Sequence, residues 1–425
     1  MQTQQAGALD LAELIARESV TIHFQPLVTM RSQNILGVEA LVRGVHPLTG
    51  ELVPPGLLFC QAAGDDQTLI DLDRLCRKKA LEAFRELRAR HPSLVLSLNF
   101  EAALLDKGVV GSGHLLRQVR QAGLEPNAVI IEIVESRVGD IAALERFVDQ
   151  HRDYGFLLAL DDLGSGHSNL ERIALIRPDV LKIDRSLISG LDRHWYKQEV
   201  TRSLLNLAGK IGALVVAEGV EREAEALLAL EMGVDILQGY YLSQPGPGLE
   251  RVEACRRRIG QLAARYRGYT VQKIAAKKAK HRVYDEVVRV LAKSLAGSGR
   301  REIDLRLGEL IGLHPALECL YVLDEAGRQI SETVCEARKL AAQRRRIFWP
   351  AARGQDQSLK NYYLLLKAGL EKYTSDPYIS LASGNLCITI STWFTGQDGR
   401  RFVLCVDFDA ETPPICAQTR ASRPS

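Results

Sequence analysis

Five carboxylates, two amides and one lysine stand inside, or at the C-terminal ends of, apolar runs. They are Glu39 in ILGVEALVRGV, Asn99 in LVLSLNF, Glu132 in AVIIEIVE, Asp161 and Asp162 in LLALDDL, Lys182 in DVLKIDRSL, Glu218 in LVVAEGV and Gln238 in ILQGYYLS. These are hard oxygen donors, and neither histidine nor cysteine stands at those run ends. The set therefore suits Mg2+ or Mn2+ better than zinc. Five acids at one point exceed the charge of a single divalent ion, which favours two ions, with adjacent Asp161 and Asp162 as a natural bridging pair. Two ions about 4 Å apart clamp the attacking and leaving oxygens of a phosphoryl displacement, so the reaction class is phosphodiester hydrolysis. Lys182 either orients the attacking water or a phosphate oxygen, or is an ion-pair partner for one acid. Glu39, Leu41 and Arg43 share one face of an extended run. A carboxylate facing a core needs a cation, and for Glu39 that is Arg43 or a metal.

Such residues meet only if the runs that carry them converge. The strands expected are Val20–Thr29, Ile35–Gly44, Leu94–Phe100, Ala128–Glu135, Leu157–Leu163, Val180–Asp184, Leu214–Val220 and Ile236–Ser243, with helical stretches such as Leu69–Ala89, Ile141–Tyr154 and Gln198–Lys210 between most of them. Strand–helix alternation of this kind implies an α/β fold, a TIM-like (β/α)8 barrel whose strand ends open at one mouth. The gap between the first two strands is too short for a helical crossover, which makes the first strand antiparallel.

The remainder of the chain reads as three further sections. Residues 10–248 form the barrel and residues 249–299 a basic helical linker. Residues 300–412 form a small α+β domain, and residues 413–425 a flexible tail. Residues 251–301 hold 15 Lys or Arg against 3 acids, with an apolar stripe at Val283, Val287, Leu291 and Leu295. That composition describes a helix with a solvated basic face. In the third section, Leu317–Val334 reads as two strands around a turn at Asp324–Gly327, and Leu359–Tyr373 as a helix. NLCITIS and RRFVLCVDFD supply two more strands.

The net charge of +3 is too small to make nucleic acid or a lipid surface the expected partner. The linker's basic residues also lack interleaved aromatic platforms. No apolar run approaches the ~20 residues of a membrane helix. The first residues lack the pattern of a signal peptide, and a cytoplasmic location is expected. Cys60, Cys76, Cys255, Cys319, Cys335, Cys387, Cys405 and Cys416 form no CxxC pair, and reduced thiols are expected of them.

The ordered motifs FQPLV, EALVR, LNF, EIVES, DDLGSGHSNL, LKIDRSLI, VVAEGVE and LQGYYLSQP carry a resemblance. Over roughly residues 10–250 the chain resembles the EAL family of cyclic di-GMP phosphodiesterases, named for the tripeptide Glu39-Ala40-Leu41. The resemblance implies cleavage of one phosphodiester of cyclic di-GMP to give linear pGpG. It implies a first metal held by Glu39, Asn99, Glu132 and Asp161, and a second by Asp161, Asp162 and Glu218. Lys182 would assist the water, Gln238 would join the water and ligand network, and Gln25, Leu41, Arg43 and Pro245 would contact the dinucleotide. Glu135 would anchor the loop after Asp162. That loop departs from the family's usual DDFGTGYSSL at Leu163, Ser165, His167 and Asn169, which bears on loop coupling to dimerisation and on rate. No departure removes a ligand, so catalysis is favoured over the alternative, a degenerate domain that binds cyclic di-GMP without cutting it.

The later residues, with YVLDEAGRQI and YISLASGNLCITIS, resemble the YkuI-type EAL proteins, whose C-terminal domain is PAS- or Cache-like. A sensory or dimerisation domain is implied, with DPYISLASG and Asp407 near a pocket for a small molecule. A homodimer is expected from the resemblance and from the linker's apolar stripe.

Overall fold

The computed structural model describes residues 9–107, 112–134, 140–165, 170–248, 250–336, 338 and 349–410. The chain divides into two compact units between Thr270 and Val271. The first contains strands β1 (Val20–Thr29), β2 (Asn34–Val45), β3 (Leu52–Val53), β4 (Val95–Phe100), β5 (Val129–Val134), β6 (Leu157–Leu163), β7 (Val180–Ile183), β8 (Leu214–Ala217) and β9 (Ile236–Leu237). Eight of them close a ring in the order β1-β2-β4-β5-β6-β7-β8-β9, and β3 pairs with β2 outside it. Strand β1 is antiparallel to both its neighbours, β2 and β9. Every other pairing within the ring is parallel. The barrel with an inverted first strand is thus the observed fold.

Period-two alternation explains how this barrel places polar groups. Leu27, Ile130, Ala159, Val180, Val216 and Ile236 form a buried cluster of their own. Two residues further along five of these chain segments come Glu132, Asp161, Lys182, Glu218 and Gln238, on the same face of the chain if extension continues. In β1, which runs the other way, the polar partner precedes the apolar one: Gln25 stands before Leu27. An apolar floor therefore lies beneath a polar rim.

The outward faces of the strands pack against helices. Helix Asp66–Arg90 starts where the Asp65 carboxylate accepts the Thr68 amide at 3.0 Å, and buries Leu69, Leu72, Cys76, Ala80, Phe84 and Leu87. Its spacing of i, i+3, i+4 is that of a single core-facing stripe. Helices Ile141–Asp153 and Trp195–Ile211 were expected slightly shorter or longer at their ends. Strand β9 is much shorter than the run Ile236–Ser243 suggests. At Gly239 the chain turns, and its carbonyl accepts the amides of Leu242 and Ser243. A Cβ at Gly239 would overlap the Val220 backbone, so only glycine permits this approach beside Gln238.

His151 gives this unit a testable acid limb. Its ring is 6% exposed, between Phe147, Tyr154 and Phe156, with Nδ1 2.8 Å from the Phe147 carbonyl. Burial is the main cause that pushes it down to about 4 from 6.5. The unfolded chain thus binds a proton that the folded chain refuses, and stability falls as pH drops from about 6.5 toward 4. The full difference is about 3 kcal/mol. Urea melts at pH 7 and pH 4.5 should show a smaller acid loss in His151→Leu than in the parent. Equal losses would assign the acid limb elsewhere.

Helix Glu250–Ala296 contributes to both units. Cys255, Ile259 and Leu262 belong to the core of the first, while Tyr284, Val288, Leu291 and Leu295 belong to the core of the second. The expected stripe is thus partly used within the chain: Leu291 and Leu295 are fully buried, and Val283 and Val287 half-buried. It lends the expected dimer little support, since its most apolar members already have partners.

The second unit holds β10 (Leu317–Leu323), β11 (Val334–Cys335), β12 (Lys372–Thr374), β13 (Tyr378–Ile379), β14 (Leu386–Thr395) and β15 (Arg401–Asp409). They form an antiparallel sheet in the order β11-β10-β15-β14-β12, with β13 also on β14. The helix expected over Leu359–Tyr373 spans only Asn361–Lys367. Gly369, at φ +113°, stops it, and Lys372–Thr374 joins the sheet instead. Cys319 and Cys335, opposite each other on β10 and β11, form a disulfide, which corrects the expectation that all thiols are reduced. Cys60, Cys76, Cys255, Cys387 and Cys405 are free thiols, all buried except Cys60.

Candidate functional site

At the barrel mouth, Lys182 on β7 is 2% exposed and is surrounded by acids. Its Nζ lies 2.6 Å from Glu218 Oε1, 2.7 Å from Glu132 Oε1, 3.3 Å from Asp161 Oδ1 and 3.6 Å from Glu39 Oε2. Glu39 also accepts hydrogen bonds from Asn99 Nδ2 at 3.0 Å and Gln238 Nε2 at 2.5 Å. Gln238 Nε2 donates as well to Gln25 Oε1 at 3.1 Å, and the Gln25 amide reaches the Ser243 carbonyl at 3.2 Å. Eight residues singled out in the sequence are therefore linked by direct contacts. Asp162 stands at φ +59°, a left-handed conformation that non-glycine residues rarely adopt. Such local strain is common where a side chain is held for a task. One oxygen from each of Asp161, Asp162 and Glu218 lies within 4.8 Å of the others.

The charge balance of this cluster is lopsided. Four carboxylates, Glu39, Glu132, Asp161 and Glu218, share the single ammonium of Lys182 among the described residues. Burial pushes Glu132 well above the usual carboxylate range, reinforced by Glu39, Asp161 and Glu218 against the pull of Lys182. Burial also pushes Glu218 up to about 8, with Asp161 and Glu39 adding to it and Lys182 opposing. Burial disfavours ionised Glu39 too, but Lys182, Gln238 and Asn99 together hold it below its ordinary value. For Lys182 itself, burial is outweighed by Asp161, Glu132, Glu218 and Glu39, which hold it well above its ordinary value. Glu132 Oε2 is buried with no hydrogen-bond partner among the described residues. A spare buried carboxylate oxygen and an excess of negative charge fit a hard divalent cation.

Two cavities share Glu39, Asp161 and Asp162. The larger, about 600 Å3, also takes in Leu41, Asn99, Phe59 and the ion pair Asp73–Arg77. The smaller, about 310 Å3, takes in Gln25, Lys182, Glu218 and Gln238. Arg43 and Pro245 line neither. Arg43 is half-buried and bonds the Val42 carbonyl at 2.8 Å, and no ion pair links it to Glu39. Pro245 precedes Gly246, which bridges to Phe24 on β1. Glu135, His167 and Asn169 lie outside the described residues.

Two contributions escaped the sequence reading. Ser97 Oγ donates to Glu132 Oε1 at 2.5 Å; it sits two residues before Asn99 on β4, so alternation alone could have found it. Asp73 and Arg77 form a buried pair at 2.6 Å, and burial, with Arg77 opposing, raises Asp73 above its ordinary value. Their i, i+4 spacing inside a buried helical stripe was the available signal.

Residues 8–245 match the model of the EAL domain. The chain is similar to a signaling protein, YkoW, of Bacillus subtilis, at 28% identity over 56% of this chain and 29% of YkoW. It is similar to the cyclic di-GMP phosphodiesterase NbdA of Pseudomonas aeruginosa, at 30% identity over 56% of this chain and 30% of NbdA. The chain thus spans less than a third of the length of either relative. The crystal structure of the Bacillus subtilis YkuI protein, in complex with its substrate c-di-GMP and calcium, matches 95% of this chain and 100% of that one, with a TM-score of 0.77 and 25% identity.

Proposed function

Because the chain belongs to the EAL domain family, we propose that it hydrolyses cyclic di-GMP to linear pGpG with divalent ions held at the barrel mouth. The single observation that carries this reading is the cluster of four carboxylates around the Lys182 ammonium, whose negative charge exceeds what that one ammonium neutralises, with Asp162 beside two of them. Likeness to YkuI, whose structure holds c-di-GMP and calcium, supports the same substrate and a divalent cation.

In this reading the ions are Mg2+ or Mn2+, two of them. Glu39, Asn99, Glu132 and Asp161 hold one, and Asp161, Asp162 and Glu218 the other. Bound ions would supply Lewis-acid charge to the scissile phosphate and lower the pKa of the attacking water. Lys182, held as an ammonium, donates hydrogen bonds and so orients that water or a phosphate oxygen; it is not a base. Glu39 positions Gln238 and Asn99 around it. Gln25, Leu41, Arg43, Gln238 and Pro245 contact the dinucleotide, and Glu135 anchors the loop beyond Asp162.

We assign residues 10–248 to the phosphodiesterase barrel, 249–299 to the linker and 300–412 to a PAS- or Cache-like sensory or dimerisation domain; residues 413–425, which the sequence sets apart as a tail, lie outside the described residues. The strand order of the second unit, 2-1-5-4-3 when its own strands are counted apart from β13, supports that assignment. Among the described residues no helix is long and apolar enough to cross a membrane, and we place the protein in the cytoplasm as a homodimer that takes a small molecule in its second domain.

Incubation of the protein with cyclic di-GMP and Mn2+ or Mg2+, followed by chromatography, should yield pGpG, and excess chelator should stop its formation. Tight binding with no pGpG would make the barrel a non-hydrolysing receptor instead.

A further inference from the structure

The second unit contains a cavity of about 690 Å3 between its sheet and the chain segments around Tyr362 and Tyr378. That volume lies within the range of small-molecule sites. Asp407 of β15 lines it at 2% exposure. Its carboxylate accepts a hydrogen bond from Thr389 Oγ1 at 2.6 Å, and Thr389 Oγ1 is in turn 2.6 Å from the Tyr378 hydroxyl. Among the described residues no Lys, Arg or His lies within ion-pair distance of Asp407. A second buried acid, Glu318 on β10, is near enough to act on it. Burying a carboxylate such as Asp407 with no cation at ion-pair distance among the described residues costs several kcal/mol. Yet the four tyrosines Tyr321, Tyr362, Tyr373 and Tyr378 line the same cavity, and tyrosine rings attract cations.

We infer that this cavity binds a small organic cation, an amine, whose charged head sits against Asp407 among these tyrosines. An ammonium would supply the cationic partner that Asp407 lacks among the described residues, and the tyrosine rings attract a cation more strongly than a neutral polar group. A carboxylate- or phosphate-bearing ligand whose charge sat against Asp407 would meet it as a like charge, with Asp376 a second acid in the lining against the one lining cation among the described residues, Lys360. The inference rests on the second domain taking a small molecule and is independent of the chemistry at the barrel mouth.

Burial, with Glu318 adding and Thr389 opposing, pushes Asp407 up to about 7. The groups that act on it or feel it are Glu318 and Tyr321 from β10, Cys387 and Thr389 from β14, Cys405 from β15, Tyr378 from β13, and Tyr362 from the helix Asn361–Lys367. The six other than Glu318 stay neutral near pH 7, so amine affinity should rise between pH 6 and pH 8 as Asp407 ionises.

Calorimetry of the full chain tests this with phenethylammonium, tetramethylammonium and the neutral isostere 2-phenylethanol. The expected result is saturable binding of an ammonium probe below about 10 mM. Expected too is affinity at least about tenfold weaker for 2-phenylethanol than for phenethylammonium, and for the ammonium probe with Asp407→Asn. The Asn variant keeps an acceptor for Thr389 and loses the buried charge, so it should melt no lower than the parent and retain its cyclic di-GMP cleavage. Equal affinity for the neutral isostere, undiminished binding by folded Asp407→Asn, or no binding of either ammonium probe would overturn the inference. Loss of cleavage alone, with amine binding intact, would count against the barrel reading only.

Discussion

Replacing Glu39 with alanine should lower the rate of pGpG formation by about a thousandfold or more, which is about 4 kcal/mol of lost transition-state stabilisation. Glu39 does three things at once. It offers a carboxylate to a cation, it accepts Asn99 at 3.0 Å and Gln238 at 2.5 Å, and it lies 3.6 Å from Lys182 Nζ. Its removal takes one ligand from the set and releases two amides from their orientations. Glu39→Gln separates the parts: it keeps the shape and an acceptor oxygen but forfeits the charge. If charge is what matters, Glu39→Gln falls nearly as far as alanine while its melting temperature without metal stays near the parent's. Single-turnover rates with saturating Mn2+ make the measurement. Full activity in either variant would remove Glu39 from the metal set.

The site was legible because its residues follow a rule of extended chain. Glu132, Asp161, Lys182, Glu218 and Gln238 each come two positions after an apolar residue that faces the barrel interior, and Gln25 reads the same way backwards along β1. Closure of the ring then brings residues as far apart as Glu39 and Gln238 into contact. What alternation does not encode is termination. The run Ile236–Ser243 looks like one strand until Gly239 turns it, and Leu359–Tyr373 looks like one helix until Gly369 ends it. In both places the apolar pattern continues past the glycine, so pattern favours continuation, backbone freedom favours a turn, and backbone freedom wins. Depth was also illegible. Nothing local distinguishes Asp407, which is buried against the sheet's cavity, from Asp409 two residues later, which is only half-buried.

Lys182→Met should destabilise the metal-free protein by about 3–5 kcal/mol, because it strips the cation from a buried cluster of acids. The ammonium now lies within 2.6–3.6 Å of four carboxylates. Without it, Glu39 loses its main neutralising partner, and Glu132 and Glu218 are driven further toward their neutral forms. The same loss has the opposite effect on cation binding. Lys182 and a divalent ion compete for the same oxygens, so the Met variant should bind Mn2+ more tightly than the parent. It should also gain more in melting temperature when Mn2+ is added, since stabilisation by a ligand grows with its affinity. Yet the tighter-binding variant should cleave cyclic di-GMP far more slowly, for want of the donor that orients the attacking water. Urea melts with and without Mn2+, paired with turnover assays, separate these effects. A variant whose metal-free stability and Mn2+ affinity both match the parent's would show that Lys182 neutralises nothing in solution. The acids would then already be balanced by protons or by one another, and the case for caged cations at the barrel mouth would lose its electrostatic basis.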